Sequence, residues 1–219
     1  MKKILIQLCS FFWDVPILKT SSPQNEYLEL VWSNGKKILN TKEANFSFGN
    51  ASKVITRALS PYTHKIKEAQ NILILGFGCG SVVELLDLKY NYKNKLTGVE
   101  YDAKIIDIYH EHFADQFQLK PNIVCSDAAD FLSQDHSKFD IILVDLFKEL
   151  NNSTLLKNPK FLKSIKIHSA VGGLVIFNTI SRSETENKLL STLIIELGML
   201  YKNVTTEVYQ DINNIIVAK

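Results

Sequence analysis

Asn71-Ile72-Leu73-Ile74-Leu75-Gly76-Phe77-Gly78-Cys79-Gly80-Ser81 carries the strongest structural signal in the chain, and Val82-Val83-Glu84-Leu85-Leu86 follows it at once. An unbroken aliphatic run of this length reads as a parallel strand buried on both faces. The alternating glycines then allow a sharp turn and a close approach of backbone to a ligand, which a Cβ would obstruct. A helix opening at about Gly80 would aim its free N–H groups into that turn. Alone, such a glycine pattern also suits an ordinary strand-to-helix turn, so its neighbours matter.

Leu96-Thr97-Gly98-Val99-Glu100-Tyr101-Asp102 is a second strand, ending in acids about 20 residues past the glycines, where a carboxylate can accept both hydroxyls of a ribose. The spacing is Gly-x-Gly-x-Gly, without the third glycine that opens a helix for a pyrophosphate. Asp127 follows Pro121-Asn122-Ile123-Val124-Cys125, and Asp145 closes Phe139-Asp140-Ile141-Ile142-Leu143-Val144. Four strands thus each deliver ligand-type residues at the carboxyl end, where open parallel sheets bind ligands. Any one of these acids also suits the cap of a following helix, Asp102 and Asp127 above all. The four together favour a site.

These residues resemble the class I S-adenosylmethionine-dependent methyltransferases, and within them the spermidine synthase-like branch. The similar pieces are residues 73–81, 96–113, 123–132 and 139–147, with a weaker likeness upstream through 35–50. The resemblance implies an α/β fold: a Rossmann-like seven-stranded methyltransferase sheet, parallel with an antiparallel C-terminal hairpin, after a small N-terminal helix and β-hairpin region. It also implies S-adenosylmethionine, or its decarboxylated form, as the bound donor. Gly76, Gly78, Cys79 and Gly80 would pass beside its methionine part. Glu100, with Tyr101 next to it, would hold the ribose. Asp127 would face the adenine amino group, with the Ala128 backbone close to the ring, and Asp145 would be the catalytic residue at the mouth.

The chain departs from the branch at three places. Cys79 stands where spermidine synthases carry an aspartate in the glycine loop, and Lys148 where they carry a second acid after the one matching Asp145. Asn45-Phe46-Ser47-Phe48-Gly49 replaces a Tyr-His-Glu element. A thiol cannot supply the charge that holds a donor ammonium. The leading expectation is therefore methyl transfer to an unknown small acceptor, with Asp145 nearest the chemistry and Lys148 on the acceptor wall. Aminopropyl transfer from decarboxylated S-adenosylmethionine to a diamine such as putrescine is the alternative. A non-catalytic nucleoside-binding or scaffold protein is a third reading.

Composition sets outer bounds. A chain of 219 residues suffices for one α/β domain with an appendage, divided here into an N-terminal region, 1–60, and a donor-binding Rossmann-like domain, 61–219. Hydrophobic residues make up 46%, which argues against disorder, and a net charge of +2 gives no whole-chain case for nucleic acid or an anionic membrane. Lys157, Lys160, Lys163 and Lys166 follow one helix face and read as solvated. Cys9, Cys79 and Cys125 are scattered without metal or disulfide spacing, and His110 and His112 point to different sides of a helix; no metal is expected. Cys125 reads as a small core residue.

Lys3, Gln7, Ser10 and Asp14 recur on one side of the first segment and Ile4, Leu5, Leu8 and Phe12 on the other. That is an amphipathic helix rather than a signal core, and no run approaches the roughly 18 apolar residues of a membrane span, so a cytoplasmic protein is expected. Phe11, Phe12 and Trp13 read as core packing. Asn34-Gly35 predicts a hairpin over 26–41, and its free edge favours pairing with a second copy as a homodimer. Further expectations are a helix over 51–59, a helix over 159–169, a strand over 173–178, and a helix over 184–198 closed by Gly198. Two last strands over 201–209 and 213–218 would turn at Asp211.

Overall fold

In the computed structural model, the described residues are 2–42, 45–47, 50–148, 151–209 and 212–219, with side chains at all of these except 2–5, 45–47, 50–52 and 148. The N-terminal region holds α1 (Lys2–Cys9), then β1 (Val15–Thr20), β2 (Leu28–Ser33), β3 (Lys36–Asn40) and β4 (Asn45–Ser47), which pair in that order as an antiparallel sheet. Asn34 and Gly35 turn β2 into β3 with φ of 49° and 76°, the left-handed pair that a two-residue hairpin demands. Helices α2 (Asn50–Leu59) and α3 (Thr63–Glu68) lead to the main sheet.

There, β5 (Asn71–Leu75), β6 (Lys95–Glu100), β7 (Asn122–Cys125) and β8 (Phe139–Val144) run parallel, joined by α4 (Ser81–Glu84), α5 (Ala103–His112) and α6 (Ala128–Gln134). A short hairpin of β9 (Phe147–Lys148) and β10 (Asn151–Asn152) precedes α7 (Pro159–His168), β11 (Ser169–Ile180) and α8 (Glu184–Leu200). Strands β12 (Val204–Tyr209) and β13 (Asn213–Ala218) close the sheet antiparallel, in the order β12-β13-β11-β8-β5-β6-β7. This is the expected seven-stranded Rossmann-like arrangement.

The aliphatic runs explain why the sheet is covered on both sides. In β5, Ile72 and Ile74 join one hydrophobic cluster while Leu73 and Leu75 join another; Ile141 and Leu143 part from Ile142 and Val144 in the same way. Each such side chain contributes about 1.5–3 kcal/mol by leaving water. The first cluster also takes in Leu28, Leu30 and Leu39 of the N-terminal sheet, so that sheet shares a core with residues past 60.

Several local expectations are corrected. Helix α8 runs through Gly198 to Leu200, held to the sheet by buried Leu193 and Leu197. Cys125 is exposed rather than core, since β7 is the edge strand. Phe11, Phe12 and Trp13 are 59%, 83% and 63% exposed. The turn after α1 is tied to the hairpin tip through Asn34 N–H to the Ser10 carbonyl and Gly35 N–H to Ser10 Oγ, and this leaves the aromatics outside the core. Residue 211, expected at the last turn, lies outside the described residues, as do Phe48 and Gly49. Lys160, Lys163 and Lys166 are solvated on α7 as expected, whereas Lys157, also exposed, ends a separate 3-10 turn (Thr154–Lys157) and does not share that helix face. Among the described residues no helix is long and apolar enough to cross a membrane.

Candidate active site

Parallel register brings Gly76–Gly80, Glu100, Asp127 and Asp145 to one rim of the sheet. Backbone bonds carry the ladder just past the strand ends. Asp145 N–H donates to the Leu75 carbonyl at 2.8 Å, Gly76 N–H to Val99 at 3.0 Å, and Ser126 N–H to Glu100 at 3.0 Å. Asp145, Gly76 and Ser126 are therefore each fixed by the neighbouring strand.

The glycines are required by protein neighbours. A Cβ on Gly76, at φ +88°, would lie 2.1 Å from the Asp145 carbonyl oxygen, and one on Gly80, at φ +87°, would lie 2.5 Å from the Tyr109 ring. Gly78, at φ +59°, turns its N–H onto Glu100 Oε2 at 2.9 Å. Cys79 is fully buried with its thiol directed at the Ile105 carbonyl, so any contact it makes with a ligand is through its main chain.

Glu100 is 8% exposed, and its second oxygen accepts Asp102 N–H at 3.0 Å. Burial pushes its carboxyl above the usual carboxylate range, against the pull of the Asp102 and Gly78 amides. The chain keeps a buried carboxyl at the rim, held by the backbone N–H groups of Asp102, Gly78 and Tyr101. Tyr101, beside it, is 61% exposed.

Asp102 and Asp127 take up the capping roles open to them. Asp102 Oδ1 accepts Lys104 N–H at the start of α5, and Asp127 Oδ1 accepts from Ala129 and Asp130 at the start of α6. Both cap bonds of Asp127 use that one oxygen, and Ala128 behind it is buried.

Asp145 caps no helix. The chain beyond it enters the β9–β10 hairpin, and Asp145 Oδ1 accepts instead from Asn178 Nδ2 at 2.8 Å. Burial pushes the Asp145 carboxyl up to about 6, opposed by that N–H. Asn178 is 3% exposed, and its own Oδ1 has no hydrogen-bond partner among the described residues. A buried amide oxygen without a donor costs about 1–3 kcal/mol, and this one belongs to the side chain that holds the Asp145 carboxyl. The sequence reading missed this residue. Its signal was the one that flagged Asp145, a polar residue closing four aliphatic or aromatic ones, Leu174 to Phe177, but a neutral amide drew no attention. The backbone of Lys148 belongs to β9; its side chain, and Glu149, lie outside the described residues.

The family model for the spermine/spermidine synthase domain matches residues 58–209. A probable polyamine aminopropyl transferase of Bifidobacterium longum is 27% identical over 138 residues, covering 63% of this chain and 30% of the relative. A polyamine aminopropyltransferase of Saccharolobus solfataricus is 30% identical over 117 residues, covering 50% of this chain and 38% of the relative. The chain therefore spans about a third of the length of these curated relatives. Among solved structures, spermidine synthase from Thermotoga maritima superposes with a TM-score of 0.69 at 11% identity, over 93% of this chain and 72% of the other. Human methyltransferase-like protein 13, in complex with SAH, gives 0.62 at 15%, over 78% and 82%. Those two likenesses show the fold alone. The family match covers more than half of the chain, and on that ground the chain belongs to the spermine/spermidine synthase domain family.

Proposed function

We propose that the protein is an aminopropyltransferase, moving the aminopropyl group of decarboxylated S-adenosylmethionine to a small amine. Among its alternatives, the sequence reading put methyl transfer first. The curated relatives are named as polyamine aminopropyltransferases, which turns the order round. The observation that carries the reading is the Asp145–Asn178 pair, a half-buried carboxyl beside an orphaned amide oxygen. Two acceptors side by side suit the N–H groups of an amine.

The chemistry follows from that pairing. An amine arrives protonated and must lose one proton before its lone pair can attack the carbon bound to the sulfonium. The new C–N bond forms as the C–S bond breaks, and the electron pair returns to sulfur as a neutral thioether. Asp145, with its carboxyl at about 6, is mostly ionised near neutral pH and can take the proton. Glu100 would hold the ribose, and Gly76 to Gly80 would line the donor's chain. Asp145, the acid placed next to the reacting centre, disfavours the extra carboxylate of the intact methionine moiety. One observation favours the second reading, methyl transfer: the loop offers the buried thiol of Cys79 and no carboxylate for the donor ammonium.

Incubation with decarboxylated S-adenosylmethionine and a panel of di- and triamines should release methylthioadenosine and yield an amine heavier by one aminopropyl unit. Methylated products formed from S-adenosylmethionine, with no methylthioadenosine from the decarboxylated donor, would overturn the reading.

The same chemistry fixes a pH dependence. Turnover should fall as pH drops through about 6, where Asp145 gains its proton. The Asn178 N–H lowers that value, so Asn178→Leu should move the acid limb of the pH–rate profile upward. An unmoved limb would separate Asp145 from the proton transfer.

A further inference from the structure

We propose that the β1–β2 loop of the N-terminal sheet belongs to the donor site, with Ser22 and Asn25 as positioning residues for the Glu100 carboxylate; this rests on the donor-binding role of Glu100 given above. Asp102 is 2% exposed. A helix cap needs one carboxylate oxygen, and Oδ1 serves it by accepting Lys104 N–H. Asp102 Oδ2 accepts instead from Ser22 Oγ at 2.5 Å and from Asn25 Nδ2 at 2.7 Å, across about 80 residues of chain. A buried carboxylate is expensive unless hydrogen-bonded, and this one draws two of its three partners from the β1–β2 loop.

The loop is built to deliver them. Ser22 Oγ accepts from the backbone N–H of Asn25 at 2.9 Å and of Gln24 at 3.3 Å, and Ser22 N–H donates to the Asn25 carbonyl at 2.8 Å. Pro23 removes one backbone freedom between them. Asn25 is 7% exposed, the buried residue of a loop whose Ser21, Pro23 and Glu26 face solvent.

From Asp102 the chain of contacts runs straight to the candidate ribose anchor. Asp102 N–H donates to Glu100 Oε1, and Gly78 N–H holds the other oxygen. Displacing Asp102 would release one arm of the clamp on Glu100, and Glu100 would lose the orientation in which its free lone pairs meet a ribose. The N-terminal sheet also docks at the opposite end of α5, where Lys37 Nζ donates to the His112 carbonyl. That second contact provides a control for docking without positioning.

The test is calorimetric titration with methylthioadenosine and its 2′-deoxy analogue, on wild type, Ser22→Ala, Asn25→Ala, Ser22→Thr and Lys37→Ala, each with its thermal midpoint. Ser22→Ala and Asn25→Ala should each weaken methylthioadenosine by about tenfold, the scale seen when groups behind a binding residue are removed. They should also shrink the preference over the 2′-deoxy analogue, which a general loss of stability leaves alone. Ser22→Thr, which keeps the hydroxyl, should restore both. Lys37→Ala should lower the thermal midpoint with the preference unchanged. An unchanged preference in Ser22→Ala and Asn25→Ala, or an equal loss in Lys37→Ala, overturns the positioning role while leaving the donor site intact. Failure of the wild type to bind methylthioadenosine would instead remove the functional reading beneath it.

Discussion

Replacing Asp145 by Asn lowers turnover by about 100-fold or more, the scale of a lost general base, while donor affinity stays within about threefold of wild type. The same substitution should leave the protein as stable as before, or more so, at pH 7. The sign follows from linkage. The folded-state carboxyl sits at about 6 against an ordinary 3.8, so the native state holds the proton more tightly than the unfolded chain. Its favourable contribution is complete below pH 3.8 and is lost as pH rises through about 6. At neutral pH the buried charge is a cost, and an amide removes it. Two units at about 1.36 kcal/mol each bound the gain at about 3 kcal/mol, and solvent reaching a half-buried carboxyl reduces it to about 1–2 kcal/mol. Thermal unfolding at pH 5 and pH 8, read beside steady-state kinetics, checks both halves. A variant that unfolds more easily at pH 8 yet keeps its turnover would make Asp145 a structural residue.

Glu100→Ala should abolish useful donor binding. A charge-assisted, two-point contact to a ribose is worth about 2–3 kcal/mol, or about 30- to 150-fold in dissociation constant. The substitution also strands the N–H groups of Gly78 and Asp102, which now point at the carboxylate. Glycine-loop order and ribose contact are therefore lost together, and Glu100→Gln should fall between, since its NH₂ end meets one of those N–H donors head on. Titration with methylthioadenosine on the folded fraction measures this. Wild-type affinity in Glu100→Ala would place the nucleoside elsewhere.

The backbone of this account was legible in the chain because hydrophobic pattern and turn chemistry are local. Ile72 to Leu75 announced a doubly buried strand, Asn34-Gly35 a tight hairpin, and Asp145 a strand end on the binding rim. What the sequence concealed depends on contacts between distant elements. The glycines invited a reading of close approach to a ligand, yet Gly76 and Gly80 are fixed by the Asp145 carbonyl and the Tyr109 ring. Phe11 to Trp13 looked like core residues, but the tie of Ser10 to the hairpin tip keeps them outside. Cys125 read as buried because its strand is apolar, but that strand is the edge of the sheet. Asn178 carries no charge and lies 33 residues from its partner, so only the fold reveals that it flanks Asp145. Ser22 and Asn25 are the extreme case, polar loop residues whose role appears once two sheets meet at Asp102.

Donor discrimination tests the central claim most directly: the dissociation constants of decarboxylated and intact S-adenosylmethionine, measured by calorimetry on the wild-type chain. Under the proposed function, with Asp145 beside the reacting centre, decarboxylated S-adenosylmethionine should bind the tighter of the two, by about tenfold or more. Tighter binding of intact S-adenosylmethionine would contradict the aminopropyltransferase reading and return methyl transfer to first place.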